Sequence, residues 1–249
     1  MLVAKRVSEA ESRELGPWQC PSCADRVSIK KGQIKIHHFA HTPPVRCEYG
    51  AGESEAHREC KTAIYETLRA LPGARDWELE RDFGTVRPDV SGYIGEQPLA
   101  IEVQISSLTL DQIAHRTREY ASKQIPILWV GLWRPSLAEK RIAPSAWERW
   151  LHTLYFGRVY YWRQAATVTP VHFDDHYLWV EEREWREDGE DCSAGGYHRR
   201  SKRWREPRPG KTISIQEMSA APRDAWSGGD MRIPACLLSM DRQPRWWAK

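Results

Sequence analysis

The sequence predicts an α/β domain built on a mixed central sheet flanked by helices. Three observations carry this expectation. Residues 53–71 have a helical apolar period, residues 77–105 hold three short strand-like segments, and a second helical stretch at 110–123 leads into the apolar run Ile125–Leu132. The order helix, three strands, helix, strand is that of a sheet whose strands are connected partly by hairpins and partly by a helical crossover. Composition divides the chain into a Cys/His-rich module at 17–50, a core at 51–135 and an aromatic-rich C-terminal region at 136–249.

Each element has a local reason. In the first helix Cys60, Ile64, Leu68 and Leu71 fall within one arc, and Pro72-Gly73 stops it. The segments Trp77–Arg81, Pro88–Ile94 and Leu99–Ile105 are separated by Gly, Pro and polar residues and read as strands. Ile113, Tyr120 and Ala121 are the expected anchors of the second helix. Ile125–Leu132 lacks alternation, as a central strand buried on both faces does. Further on, Val159–Trp162 and Tyr177–Val180 read as strands, an acidic run occupies 181–191, and the remainder reads largely as loop.

The 249 residues include 41% hydrophobic and 29% charged residues, which suits a globular chain. No run approaches the ~20 apolar residues of a membrane span, and Met1–Arg6 lacks the apolar core of a signal peptide. The expectation is a cytoplasmic protein with no membrane partner. The net charge of +3 decides nothing about nucleic acid, because local patches outweigh the sum.

Of the six cysteines, Cys20, Cys23 and Cys47 cluster near the N-terminus, whereas Cys60, Cys192 and Cys236 are scattered. A Cys-x-x-Cys pair chelates one tetrahedral ion, and the surrounding segment has too few aliphatic residues for its own core. The expected structural zinc ligands are Cys20, Cys23, His41 and Cys47, with His38 the alternative to His41.

The central segment carries the chemistry. Asp89 follows Pro88 at a strand start, and period-2 alternation sets Glu102 and Gln104 on the face opposite Ile101, Val103 and Ile105. Carboxylates on adjacent strands suit Mg²⁺ or Mn²⁺, which take one or two carboxylates and keep waters for a phosphate. On a helical wheel His57 lies about 40° from Glu53, and both continue the stripe of Cys60 and Ile64, while Glu55 lies opposite. The candidate catalytic set is therefore Glu53, His57, Asp89, Glu102 and Gln104, with Asp89 and Glu102 as metal ligands.

Cys20-Pro-Ser-Cys23, His38-Phe-Ala-His41, Glu53-Ser-Glu-Ala-His57-Arg-Glu-Cys-Lys61, Arg87-Pro-Asp89, Ile101-Glu-Val-Gln104 and Arg116 with Tyr120 occur in this order. Together they resemble the competence protein CoiA-like family over about half of the chain. The resemblance implies a restriction-endonuclease-like fold of the PD-(D/E)xK class, with Gln104 where that class usually has lysine. Glutamine neither acts as a base nor carries charge, so it would orient water or phosphate. At the family-pattern positions, Lys61 and Arg116 would supply positive charge toward nucleic acid, with Tyr120 beside them.

The segment 198–211 holds seven Lys/Arg and one Glu around Trp204. Arg199, Arg200, Lys202 and Arg203 are its candidates for nucleic-acid contact, with a solvated surface segment as the alternative. The resulting expectation is a metal-dependent nuclease acting on DNA, single- or double-stranded, with Mg or Mn in catalysis and Zn in structure. A homo-oligomer or a DNA-processing partner protein is compatible with it. Two rival readings stay open: a non-catalytic nucleic-acid-binding protein on the same fold, and an HNH-like nuclease centred on His37 and His38.

Overall fold

The computed structural model describes residues 2–3, 17–19, 25–30, 38–42, 54–104, 108–188 and 190–248. The chain divides into two units, Met1–Glu55 and Ala56–Lys249. In the first, β1 (Leu2–Val3), β2 (Trp18–Gln19), β3 (Arg26–Lys30) and β4 (His38–His41) form a sheet in that order. Trp18 and Val27 sit opposite one another and are buried, and the Trp18 ring lies 5.6 Å from that of Phe39. Of the expected zinc ligands, Cys20, Cys23 and Cys47 lie outside the described residues, as does His37. His38 and His41 are the first and last residues of β4.

In the second unit α1 (Glu55–Arg69) buries Cys60, Lys61, Ile64 and Leu68. It is followed by β5 (Ala74–Leu79), β6 (Val90–Ile94), β7 (Gln97–Gln104), α2 (Leu110–Ser122) and β8 (Ile127–Leu132). Then come α3 (Ala146–Leu154), β9 (Val159–Gln164), β10 (Thr167–Val180), β11 (Arg183–Glu187), β12 (Glu190–Ala194) and β13 (Tyr197–Pro209). The short strands β14 (Ile213–Ser214), β15 (Ser219–Arg223), β16 (Trp226–Gly228), β17 (Met231–Ile233) and β18 (Cys236–Met240) complete it.

Among the described residues one sheet of ten strands dominates, with the main order β13-β10-β9-β8-β7-β6-β5. β7, β8 and β9 run parallel, and the outer pairs are antiparallel, so the sheet is mixed. β18 joins β8 in parallel at Leu238–Ile127. The parallel step from β7 to β8 needs a crossover, which α2 supplies. Its start is fixed by a capping box between Thr109 and Gln112. Ile127 to Val130 are almost completely buried, as the unbroken apolar run requires.

Two differences from the sequence expectation have physical causes. The strand expected at Trp77–Arg81 lies at Ala74–Leu79, because the pairing with β6 slips between Arg75 and Glu78 and Asp76 takes φ +56°. The basic segment read as loop instead forms most of β13, paired with β10 from Val171–Pro209 to Val180–Tyr197. The sheet thus continues past residue 135, with β9 hydrogen-bonded to β8.

Candidate functional site

The antiparallel register of Val90 with Ile101 sets Asp89, one residue before β6, beside Glu102 on β7. Asp89 Oδ2 accepts the Val103 N–H at 2.7 Å and lies 3.3 Å from Nε2 of His57 on α1. The Asp89 carbonyl accepts the Glu80 N–H at 3.1 Å, which ties the approach to β6 to the end of β5.

Glu102 is 2% exposed. Its Oε1 accepts the Tyr120 hydroxyl at 2.5 Å and the Arg116 Nη2 at 2.5 Å. Arg116 and Tyr120 are four residues apart on α2, so they share one face of the helix. Arg116 Nη2 also donates to the Arg87 carbonyl at 2.8 Å, and its guanidinium lies 5.9 Å from the Trp129 ring centroid. One arginine therefore spans the two chain segments that carry the carboxylates.

A second group lies behind the first. Lys61, one turn beyond His57 on α1, donates to Glu80 Oε1 at 2.5 Å. Arg87 Nη2 donates to Glu80 Oε2 at 2.7 Å, and its Nε donates to the Glu80 carbonyl at 2.8 Å. Glu80 thus holds two cations that flank Asp89.

The two carboxylates are electrostatically unlike. Burial raises Asp89, but the hydrogen bond and charge of His57, the charge of Lys61 and the Val103 N–H outweigh it and hold Asp89 below the usual carboxylate range. Glu102 is pushed up to about 8, by burial first; Asp89 adds to the rise, and Arg116 and Tyr120 only partly oppose it. Two neighbouring carboxyls driven apart in this way are a feature of sites that handle protons or cations.

Gln104 ends β7, is 3% exposed, and its Nε2 has no hydrogen-bond partner among the described residues. A buried amide donor left unpaired is costly. Among the described residues no three His, Cys, Asp or Glu side chains are grouped to hold a metal ion. Glu53, the expected additional carboxylate, lies outside the described residues.

Of the sequence candidates, the structure brings His57, Lys61, Asp89, Glu102, Arg116 and Tyr120 together, with Gln104 two residues beyond Glu102 on β7. Two of the residues expected to contact nucleic acid are buried. Tyr120 is fully buried, with its hydroxyl on Glu102. Lys61 is also buried, at 6% exposure, and engages Glu80. Arg199, Arg200, Lys202 and Arg203 are exposed on β13, with β10, β9 and β8 between them and β7. Sequence reasoning missed Glu80. A signal for it existed in its charge, which stands near Arg87 and opposite in sign.

Comparison with known proteins gives two family matches. Residues 4–50 match the N-terminal domain of competence protein CoiA, and residues 53–148 match its nuclease-like domain. Competence protein CoiA of Bacillus subtilis (strain 168) is 33% identical over 117 residues, covering 45% of this chain and 30% of that relative. The chain thus spans about a third of the length of the curated relative it matches. No helix among the described residues is long and apolar enough to cross a membrane. With a nuclease-like domain that contains the whole carboxylate cluster and an N-terminal domain of the same kind ahead of it, the chain belongs to the competence protein CoiA-like family.

Proposed function

We propose that the protein hydrolyses phosphodiester bonds in DNA with Mg²⁺ or Mn²⁺, on a restriction-endonuclease-like fold of the PD-(D/E)xK type. The observation that carries this reading is the side-by-side placement of Asp89 and Glu102 on adjoining strands, with cations of α1 and α2 around them. The donor set suits a hard divalent ion. Among the described residues no hydrogen bond takes Oδ1 of Asp89 or Oε2 of Glu102, so each carboxylate keeps one oxygen for it.

When bound, the ion supplies Lewis-acid polarisation of the scissile phosphate and a water of lowered pKa. His57 keeps Asp89 ionised. Arg116 and Tyr120 fix the orientation of Glu102. The Gln104 amide donates to the attacking water or to a phosphate oxygen, and Glu53 adds a carboxylate to the set. In the N-terminal unit Cys20, Cys23 and Cys47, with His41 or His38, hold a structural zinc. Arg199, Arg200, Lys202 and Arg203 offer the DNA backbone an exposed basic strand.

The test incubates the purified chain with single- and double-stranded DNA and Mn²⁺, beside Asp89→Ala and Glu102→Ala. Cleavage lost in both variants supports the reading; cleavage that survives both overturns it and shifts attention to His37 and His38. A second reading, a DNA-binding protein without catalysis, is favoured by one observation: Gln104 stands where a charged lysine would complete the site. DNA binding with no cleavage under any divalent metal would establish it.

A further inference from the structure

A pocket of about 410 Å³ lies where the chain passes from α3 into β9, lined by Thr153, Phe156, Arg223, Trp226, Arg245 and Trp247 among others. It is separate from the carboxylate cluster. Gln104 aligns through Gly131 with Tyr161, whereas the pocket residues 153–157 precede β9. Because β7, β8 and β9 run parallel, the pocket faces their N-terminal end and Gln104 their C-terminal end. No acidic side chain lines it.

Its two arginines differ from their neighbours. Arg158 is paired with Asp241, and Arg205 with Asp175. Neither Arg223 nor Arg245 is paired with a carboxylate among the described residues. Arg223 lies 4.2 Å from the Phe156 ring centroid and donates from Nη2 to the Thr153 carbonyl at 3.3 Å, while its buried Nε has no partner among the described residues. The aromatic wall is built firmly. Trp247 stacks on His172 with 4.2 Å between centroids and 2° between planes, and Trp246 meets it edge-on. Gly157, at φ +96°, makes room for this wall, since a Cβ there would come within 3.0 Å of the Trp247 ring.

Aromatic faces beside guanidinium groups that have no carboxylate partner recognise one chemical class well. Indole rings stack on nucleobases irrespective of sequence, and arginine forks bind phosphate oxygens. The volume falls within the range of roughly 300–1,000 Å³ typical of small-ligand sites. We propose that this pocket binds a nucleotide, with the base against Trp226 and Trp247 and the phosphate on Arg223 and Arg245. The ligand is a free mononucleotide or the phosphorylated end of a single strand; both present the same chemistry. The proposal does not depend on the carboxylate cluster being catalytic.

The test uses the full chain without divalent metal and follows tryptophan fluorescence and calorimetric heat. The probes are dAMP, deoxyadenosine, inorganic phosphate, and a short oligo(dA) with a 5′-phosphate or a 5′-hydroxyl. The expected result is dAMP binding roughly tenfold or more tighter than deoxyadenosine or phosphate alone. Arg245→Gln, at an exposed position, should weaken it by about tenfold with an unchanged melting temperature. Arg223→Gln and Trp226→Ala should weaken it similarly. Tighter binding of the 5′-phosphorylated oligo(dA) than of dAMP identifies a strand end as the ligand; equal or weaker binding identifies the free nucleotide. No saturable binding of dAMP, equal binding of deoxyadenosine, or an unaffected Arg245→Gln variant overturns the proposal.

Discussion

Glu102 depends on Arg116 more than on any other side chain, because the guanidinium is both its ion-pair partner and its link to the Arg87 carbonyl. Breaking a buried pair by removing one partner costs about 3–5 kcal/mol, since the other charge is left behind. In urea titrations above about pH 8, where Glu102 is ionised, Arg116→Met is therefore expected to lower unfolding stability by about 3 kcal/mol. Adding Glu102→Gln to that variant should recover much of the loss. A second residue-scale expectation concerns His152. Its Nε2 accepts the Phe173 N–H at 3.1 Å, and burial first, then the charges of His172 and Arg205, push it down to about 3. An unfolded histidine titrates near pH 6.5. Between those values the unfolded chain binds a proton that the folded chain does not. Stability is then full above about pH 6.5 and falls toward pH 3, by about 1.4 kcal/mol per pH unit from this residue. Urea titrations from pH 7 to pH 4 should show a shallower pH slope for His152→Gln than for the parent. The reach of the sequence is also visible at this scale. Asp89, Glu102 and His57 were legible because their strand and helix periods place them together. The burial of Glu102 was not, because alternation alone marks its face as open, and only the i,i+4 pair of Arg116 and Tyr120 indicates that α2 covers it.

At the scale of elements, β6 is held against β5 by a close approach at Gly92. A Cβ added there would lie 2.4 Å from the Trp77 ring, whose Nε1 donates to the Tyr93 carbonyl. Gly92→Ala is expected to cost about 1–3 kcal/mol through overpacking. Because Asp89 leads into the same strand, it should also reduce any cleavage activity, measured beside the Trp77 fluorescence change. α2 offers a milder test. Thr109→Ala removes one half of its capping box and should cost about 1 kcal/mol, read as a lower midpoint in urea. Elements with a buried face were legible: α1, α2, β7 and β8 each fall close to their sequence bounds. The strands β11 and β13 were not, because they are largely exposed and a strand without a buried face has no period to read.

For the second unit as a whole, the decisive fact is that one sheet crosses the end of the family match at residue 148. β8 has β7 on one side and β9 on the other, so a chain cut after residue 148 leaves Val130, Gly131 and Leu132 without their partners on β9. Such a fragment is expected to aggregate on size-exclusion chromatography, while the full chain elutes as a discrete species. A sequence divided by composition at 135 hides this continuity, because hydrogen bonds between strands leave no mark on residue type.

The pairing of β18 has a consequence for synthesis. Asp241 accepts from Arg158 at 2.9 Å and from the Tyr160 hydroxyl at 2.6 Å, and Leu238 closes on Ile127 at the start of β8. Residues near 160 leave the ribosome about 80 residues before their partners, some 4–16 s at ordinary elongation rates of ~5–20 residues per second. For that interval the Arg158 guanidinium lacks the carboxylate that neutralises it. A nascent chain stalled before residue 236 should therefore be cut readily by protease, and one extended beyond 241 should resist.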